Sequence, residues 1–229
     1  MSGKKTRYTF DFSRCLREDH KYPILNYFRV ERHLTRPLAG LIVRAVLNTR
    51  ITPNQITIFS FIIGLSAGIF LTMGTRQGFI IGGILAWMAS IFDCADGMLA
   101  RLRNTMSAYG AYLDLSLDRI TDLILLGGLA VGYFRWSGNL IFFFICMGGI
   151  ALHFLQVSLY YLTSAYLKRT GLGEMAEIRG LMIFMIFSFL LAGYPRLLIY
   201  ILLFGTALHT VINVVNLVRL GIKAVARGG

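Results

Sequence analysis

Charge is what this chain has least of: only 15% of its 229 residues are charged and 11 are acidic, whereas 56% are hydrophobic. A soluble domain of this length does not show that balance, nor a mean hydropathy of +0.65, so soluble folds are excluded. Cysteine is equally thin. Cys15, Cys94 and Cys146 are far apart and two of them lie in apolar segments, so neither a disulfide framework nor a zinc site follows. The N-terminus, MSGKKTRYTFDFSRCLREDHKY, lacks the apolar run and small-residue cleavage site of a signal peptide, and its removal is not expected. Residues 1–20 show no clear period. The net charge of +12 is distributed by membrane side rather than clustered with aromatics, which points to acidic lipid headgroups as the partner and away from nucleic acid.

Apolar runs are abundant. Six stretches, 54–73, 78–99, 108–132, 139–166, 178–194 and 196–218, can each cross a hydrocarbon core, which takes about 20 mostly apolar residues. Gly64/Gly68, Gly78/Gly82 and Gly128/Gly132 have the small-x-x-x-small spacing of close helix contacts in lipid, read here as packing within one bundle rather than a dimer motif. In a six-span topology, the N-terminal arm, Arg101, Arg103, Lys168, Arg169, Arg179 and the C-terminal tail share one side; Arg76, Arg135 and Arg196 lie on the other. The basic side, with both termini, is therefore cytoplasmic. Before the first span, RPLAGLIVRAVLNTR places Leu38, Leu41, Ile42, Ala45 and Val46 on one helical face, as an amphipathic helix lying on the cytoplasmic leaflet does. The expected protein is an all-α integral membrane protein of six transmembrane helices, divided into an arm at 1–35, an interfacial helix at 36–50 and a membrane domain at 51–229.

Five of the 11 acids, Asp93, Asp96, Asp114, Asp118 and Asp122, sit in or beside the second and third apolar spans. A carboxylate near the bilayer centre costs about 2.5 to 3.5 kcal/mol even on the lenient insertion scale, so such groups face a polar cavity and call for a compensating cation. At 100° per residue, Asp93 and Asp96 project about 60° apart, and Asp114 and Asp118 about 40° apart, each pair from a single helix face. A tight loop between the two helices makes them antiparallel neighbours whose pairs converge near the cytoplasmic surface. Four carboxylates match two divalent cations, and oxygen-only ligation favours Mg²⁺ or Mn²⁺. Gly97, Ala100 and Gly110 remove bulk beside the acids, and Arg101 offers a positive fork suited to a phosphate. This is a site for a nucleotide diphosphate.

The stretch Asp93-x-x-Asp96-Gly97-x-x-Ala100-Arg101, then eight residues, Gly110, three residues, Asp114, three residues and Asp118 resembles the CDP-alcohol phosphotransferase (phosphatidyltransferase) signature at every fixed position. The resemblance implies that Asp93, Asp96, Asp114 and Asp118 hold two metal ions and that Asp118 is also the base that deprotonates the acceptor hydroxyl. It implies that Gly97, Arg101 and Ser107 contact the CDP group, with Ala100 and Gly110 beside it. The segment Thr52-Pro53-Asn54-Gln55-Ile56-Thr57 resembles the family's approach to the first span, where Asn54 and Thr57 either line the nucleotide site or cap the helix. The implied donor is CDP-diacylglycerol, CDP-archaeol or a soluble CDP-alcohol; the acceptor is an alcohol or phosphoalcohol. A homodimer in a prokaryotic cell membrane also follows from the family.

Beyond Asp118 the sequence continues Arg119-Ile-Thr-Asp122, resembling members that accept inositol phosphate; alternatively the two charges simply pair along the helix. Arg119, Lys168 and Arg179 are the candidates for an acceptor phosphate, although a basic loop at 168–179 is also what the topology requires. His153 and His209 read as packing histidines. Two other classes compete. An intramembrane prenyltransferase also binds a diphosphate through aspartates and Mg²⁺, but with differently spaced motifs. A cation transporter explains the acids but not Gly97, Ala100, Arg101 and Gly110.

Overall fold

In the computed structural model, residues 8, 10, 34–170 and 179–227 are described, and all regular structure among them is helical. The helices are α1 (Arg36–Val46), α2 (Pro53–Thr72), α3 (Arg76–Arg103), α4 (Ala108–Ser137), α5 (Leu140–Thr170), α6 (Arg179–Leu191) and α7 (Pro195–Arg227). Their ends follow local rules. Thr52 and Gln55 form a reciprocal capping box ahead of Pro53, the proline at the first turn of α2. Thr75 caps α3 through the Gly78 N–H at 3.0 Å, and Ser107 caps α4 through the Gly110 N–H at 3.0 Å. Asn104, in the left-handed region at φ 54°, ends α3 and turns the chain into α4 within four residues.

The glycine pairs are spent inside the chain. A Cβ on Gly128 would sit 2.6 Å from the Gly68 carbonyl, and one on Gly132 would overlap the Leu71 carbonyl, so α2 and α4 touch backbone to backbone. On the other side of α2, a Cβ on Gly82 of α3 would meet the Leu71 side chain at 2.7 Å. With α2 gripped on both sides, α3 and α4 hardly touch each other. They are consecutive and joined by a short loop, yet they are not the packed antiparallel neighbours the sequence suggested. The space between the Asp96–Arg101 end of α3 and the start of α4 is open. Toward the other end Leu71, Phe79, Leu125, Ile186 and Leu190 fill the core and bring in α6.

The helix before the first span has a second face that periodicity did not reveal. Ala39, Val43 and Leu47 are buried against Ala95, Met98, Leu99 and Leu102 of α3, whereas Leu38 and Leu41, assigned to the apolar face, are exposed. Small residues at i and i+4 allow close docking and leave the larger ones outside. Arg103 secures the junction: its guanidinium and Nε donate to the carbonyls of Val46, Leu47, Thr49 and Ile51 at the end of α1 and the turn into α2, where helical partners run out.

Among the described residues, four helical segments are long and apolar enough to cross a membrane: α2, α3, Leu140–Leu159 of α5 and Pro195–Ile212 of α7; α6 carries a shorter apolar run, Met182–Leu191. α4 has 30 residues, about 45 Å of helix. Its polar content, Asp114, Asp118, Arg119, Asp122 and Arg135, lowers its hydropathy. Of these charges, Asp114 and Asp118 join Asp93 in one cluster.

Candidate active site

Asp93 on α3 and Asp114 and Asp118 on α4 come together across the gap: one carboxylate oxygen from each lies within 4.8 Å of the others. Three like charges at that separation repel strongly unless a cation lies between them, and an all-oxygen donor set suits a hard divalent ion. The residues present therefore fit the Mg²⁺ or Mn²⁺ expected from the sequence. Asp96, expected as an equal fourth member, is placed differently. It is buried, accepts a short hydrogen bond from the Thr57 hydroxyl of α2, and turns toward an adjoining cleft.

That cleft has a volume of about 190 Å³ and opens between α2, α3 and the start of α4. Asn54, Thr57, Asp96, Gly97, Arg101 and Asp114 line it, with Ala100, Ser107 and Gly110. Because Thr52 and Gln55 already cap α2, Asn54 and Thr57 are released from the capping role and face the cleft. Ser107, by contrast, uses its hydroxyl on the Gly110 N–H while remaining at the rim. Gly110 is closely approached: a Cβ there would lie 3.1 Å from Ser107 Oγ and 3.2 Å from Asn54 Oδ1, so both side chains would have to shift slightly to admit one. The Arg101 guanidinium folds over Gly97, with Nη1 3.5 Å from where a Cβ would be, and its buried Nε has no hydrogen-bond partner among the described residues.

On the inner side of the carboxylates a narrow crevice is lined by Asp93, Asp118, Thr57, Ser60, Ser90 and Thr121. Sequence reasoning missed Ser60, Ser90 and Thr121. The signal was available, because each stands three residues from Thr57, Asp93 or Asp118 and so shares its helix face. Arg119 does not line the cleft: its guanidinium pairs with Asp122 of the same helix at 3.3 Å and lies over the Tyr161 ring of α5. His153, taken for a packing residue, approaches Asp122 at 3.9 Å. The side chains of Lys168 and Arg179 lie outside the described residues.

A bundle that is all-helical among the described residues, with helices of membrane-spanning length and a carboxylate cluster suited to a hard cation beside an arginine-bearing cleft, defines the class. The chain belongs to the CDP-alcohol phosphatidyltransferase family, which matches residues 50–217. Among its relatives, an archaetidylinositol phosphate synthase of Pyrococcus horikoshii is 39% identical over 88 residues, 38% of this chain and 45% of that protein. A bifunctional IPC transferase and DIPP synthase of Aquifex aeolicus is 27% identical over 188 residues, 81% of this chain and 43% of that protein. The chain thus spans less than half the length of these curated relatives. The fold matches phosphatidylinositol phosphate synthase of Mycobacterium tuberculosis crystallised with CDP-DAG, at a TM-score of 0.62 and 19% identity, over 80% of this chain and 92% of that one. The same enzyme has also been crystallised in complex with manganese and citrate.

Proposed function

We propose that the protein transfers a phosphoalcohol group from a membrane CDP-alcohol, of the CDP-diacylglycerol or CDP-archaeol kind, to the hydroxyl of an inositol phosphate, releasing CMP. The observation that carries this reading is the convergence of Asp93, Asp114 and Asp118 beside the cleft of Asn54, Gly97 and Arg101. The relatives' names support the acceptor class.

In this reading Asp93, Asp114 and Asp118, with Asp96 at the edge, hold two ions of Mg²⁺ or Mn²⁺. Bound there, the cations supply charge neutralisation to the pyrophosphate and make CMP a better leaving group. The chain's own residues do the rest. Thr57 fixes the Asp96 carboxylate. Gly97 and Gly110 let the CDP group approach the backbone, and Asn54, Ala100 and Ser107 bound it. Arg101 binds a phosphate oxygen. Asp118 accepts the proton of the acceptor hydroxyl as its oxygen attacks the phosphorus distal to cytidine and the bond to CMP breaks. Arg119, Lys168 and Arg179 bind the acceptor phosphate.

The membrane arrangement belongs to the same reading: α2 to α7 as six spans, the arm at 1–35, α1 on the cytoplasmic leaflet with Leu38 and Leu41 in lipid, and the site and both termini cytoplasmic in a prokaryotic cell membrane. The 51–229 domain forms a homodimer through a surface other than the glycine pairs, which are used internally. The test is a panel of CDP donors and alcohol acceptors with the purified chain and Mg²⁺, read by mass spectrometry. Metal-dependent CMP release with an inositol phosphate is expected. No CMP from any pair, as a transporter or prenyltransferase would give, refutes the reading.

A further inference from the structure

Asp122 stands one turn beyond Asp118 on α4, and none of its side chain is exposed. Its Oδ2 lies 3.3 Å from Arg119 Nη1 and 3.9 Å from His153 Nε2 of α5. The Arg119 guanidinium also lies over the Tyr161 ring, 5.7 Å from its centroid. Asp122, His153 and Tyr161 take no part in lining the cleft. Stability does not account for the arrangement, because a buried ion pair is often no more stabilising than apolar residues of the same volume. What the arrangement supplies is geometry. A long arginine side chain next to Asp118 is held by a carboxylate on one side and an aromatic face on another, so less of its rotamer freedom remains to be lost when it binds an anion.

We propose that Asp122 is a positioning residue for the acceptor: together with Tyr161, and buttressed from α5 by His153, it holds the Arg119 guanidinium where the phosphate of a polyol phosphate binds beside Asp118. This rests on the reading of Arg119 as an acceptor contact. Asp122 itself is buried too deeply to touch the acceptor and acts only through Arg119. Its effect therefore falls on acceptor affinity, leaving donor affinity and the chemical step alone.

The test uses the purified chain with Mg²⁺, CDP-diacylglycerol and an inositol phosphate, comparing Asp122→Asn, Arg119→Ala, the double variant and Tyr161→Leu. Asp122→Asn is expected to raise the acceptor KM about tenfold, the scale of one charge-assisted contact to the acceptor phosphate, with kcat and donor KM within about twofold. The double variant is expected to be no worse than Arg119→Ala alone, since both remove one interaction. Multiplying effects, or a parallel fall in kcat and donor affinity, overturn the proposal. If Asp122→Asn does not fold, Tyr161→Leu decides: a several-fold rise in acceptor KM supports the proposal and an unchanged value overturns it. Arg119→Ala with unchanged acceptor KM removes the underlying reading of Arg119; Arg119→Ala with a raised KM and an inert Asp122→Asn removes only the positioning role.

Discussion

Arg101 and Arg103 are two residues apart at the end of one helix, and the structure gives them separable jobs. Arg103 donates to four carbonyls, of which those of Val46, at 2.7 Å, and Leu47, at 3.1 Å, are the better buried. Alanine at 103 orphans the Leu47 carbonyl and unties α1 from the α2 junction, whereas the Val46 carbonyl keeps the Thr49 N–H at 2.9 Å and the Thr49 hydroxyl at 2.8 Å. Hydrogen bonds to a charged donor contribute about 1.5 kcal/mol or more each, while the exposed carbonyls of Thr49 and Ile51 can turn to water at little cost. The loss comes to about 1.5 to 2 kcal/mol, which in a chain of this size lowers the melting temperature by roughly 3 to 8 °C. Arg101 makes no such clamp, so Arg101→Ala is expected to keep its melting temperature and lose CMP release. The assay is thermal unfolding of each purified variant in one detergent, alongside CMP release well below the transition. An Arg103→Ala protein that melts with the wild type, or an Arg101→Ala protein that melts early and retains activity, refutes the division of labour.

Alanine at Asp93, Asp96, Asp114 or Asp118 is expected to abolish CMP release with the protein still folded by size-exclusion chromatography; full activity in Asp118→Ala removes the assigned base. Chelation with EDTA is expected to stop turnover and added Mg²⁺ or Mn²⁺ to restore it, whereas turnover that survives chelation contradicts the metal reading. Thr57→Val removes the donor to Asp96 and is expected to lower CMP release at least tenfold with little change in melting temperature. Gly132→Val forces a side chain into the Leu71 carbonyl and is expected to cost several kcal/mol, seen as loss of folded protein on expression, because a backbone atom cannot rotate aside.

The sequence by itself determined the apolar helices and the two aspartate pairs. Those features are local: apolar runs of spanning length, and carboxylates three or four residues apart that must share a face whatever the helix packs against; the caps fell to Thr52 and Ser107 rather than to Asn54 and Thr57. The signature from Asp93 to Asp118 also carried the family. Relations between elements were decided only by the tertiary structure, because they depend on which surfaces come within contact distance. Helix α2 wedges between α3 and α4, since glycines on all three allow backbone approach, and the wedge keeps the carboxylate-bearing helices apart enough to leave a cleft. That separation places Asp96 with Thr57 while Asp93 faces Asp114 and Asp118. Docking on α3 turns the Ala39 and Val43 face of α1 inward, and packing divides Arg101 from Arg103 and brings His153 of α5 to Asp122, whose pairing with Arg119 is local. Spacing along a helix fixes direction from its own axis, but only the neighbouring helices decide what lies in that direction.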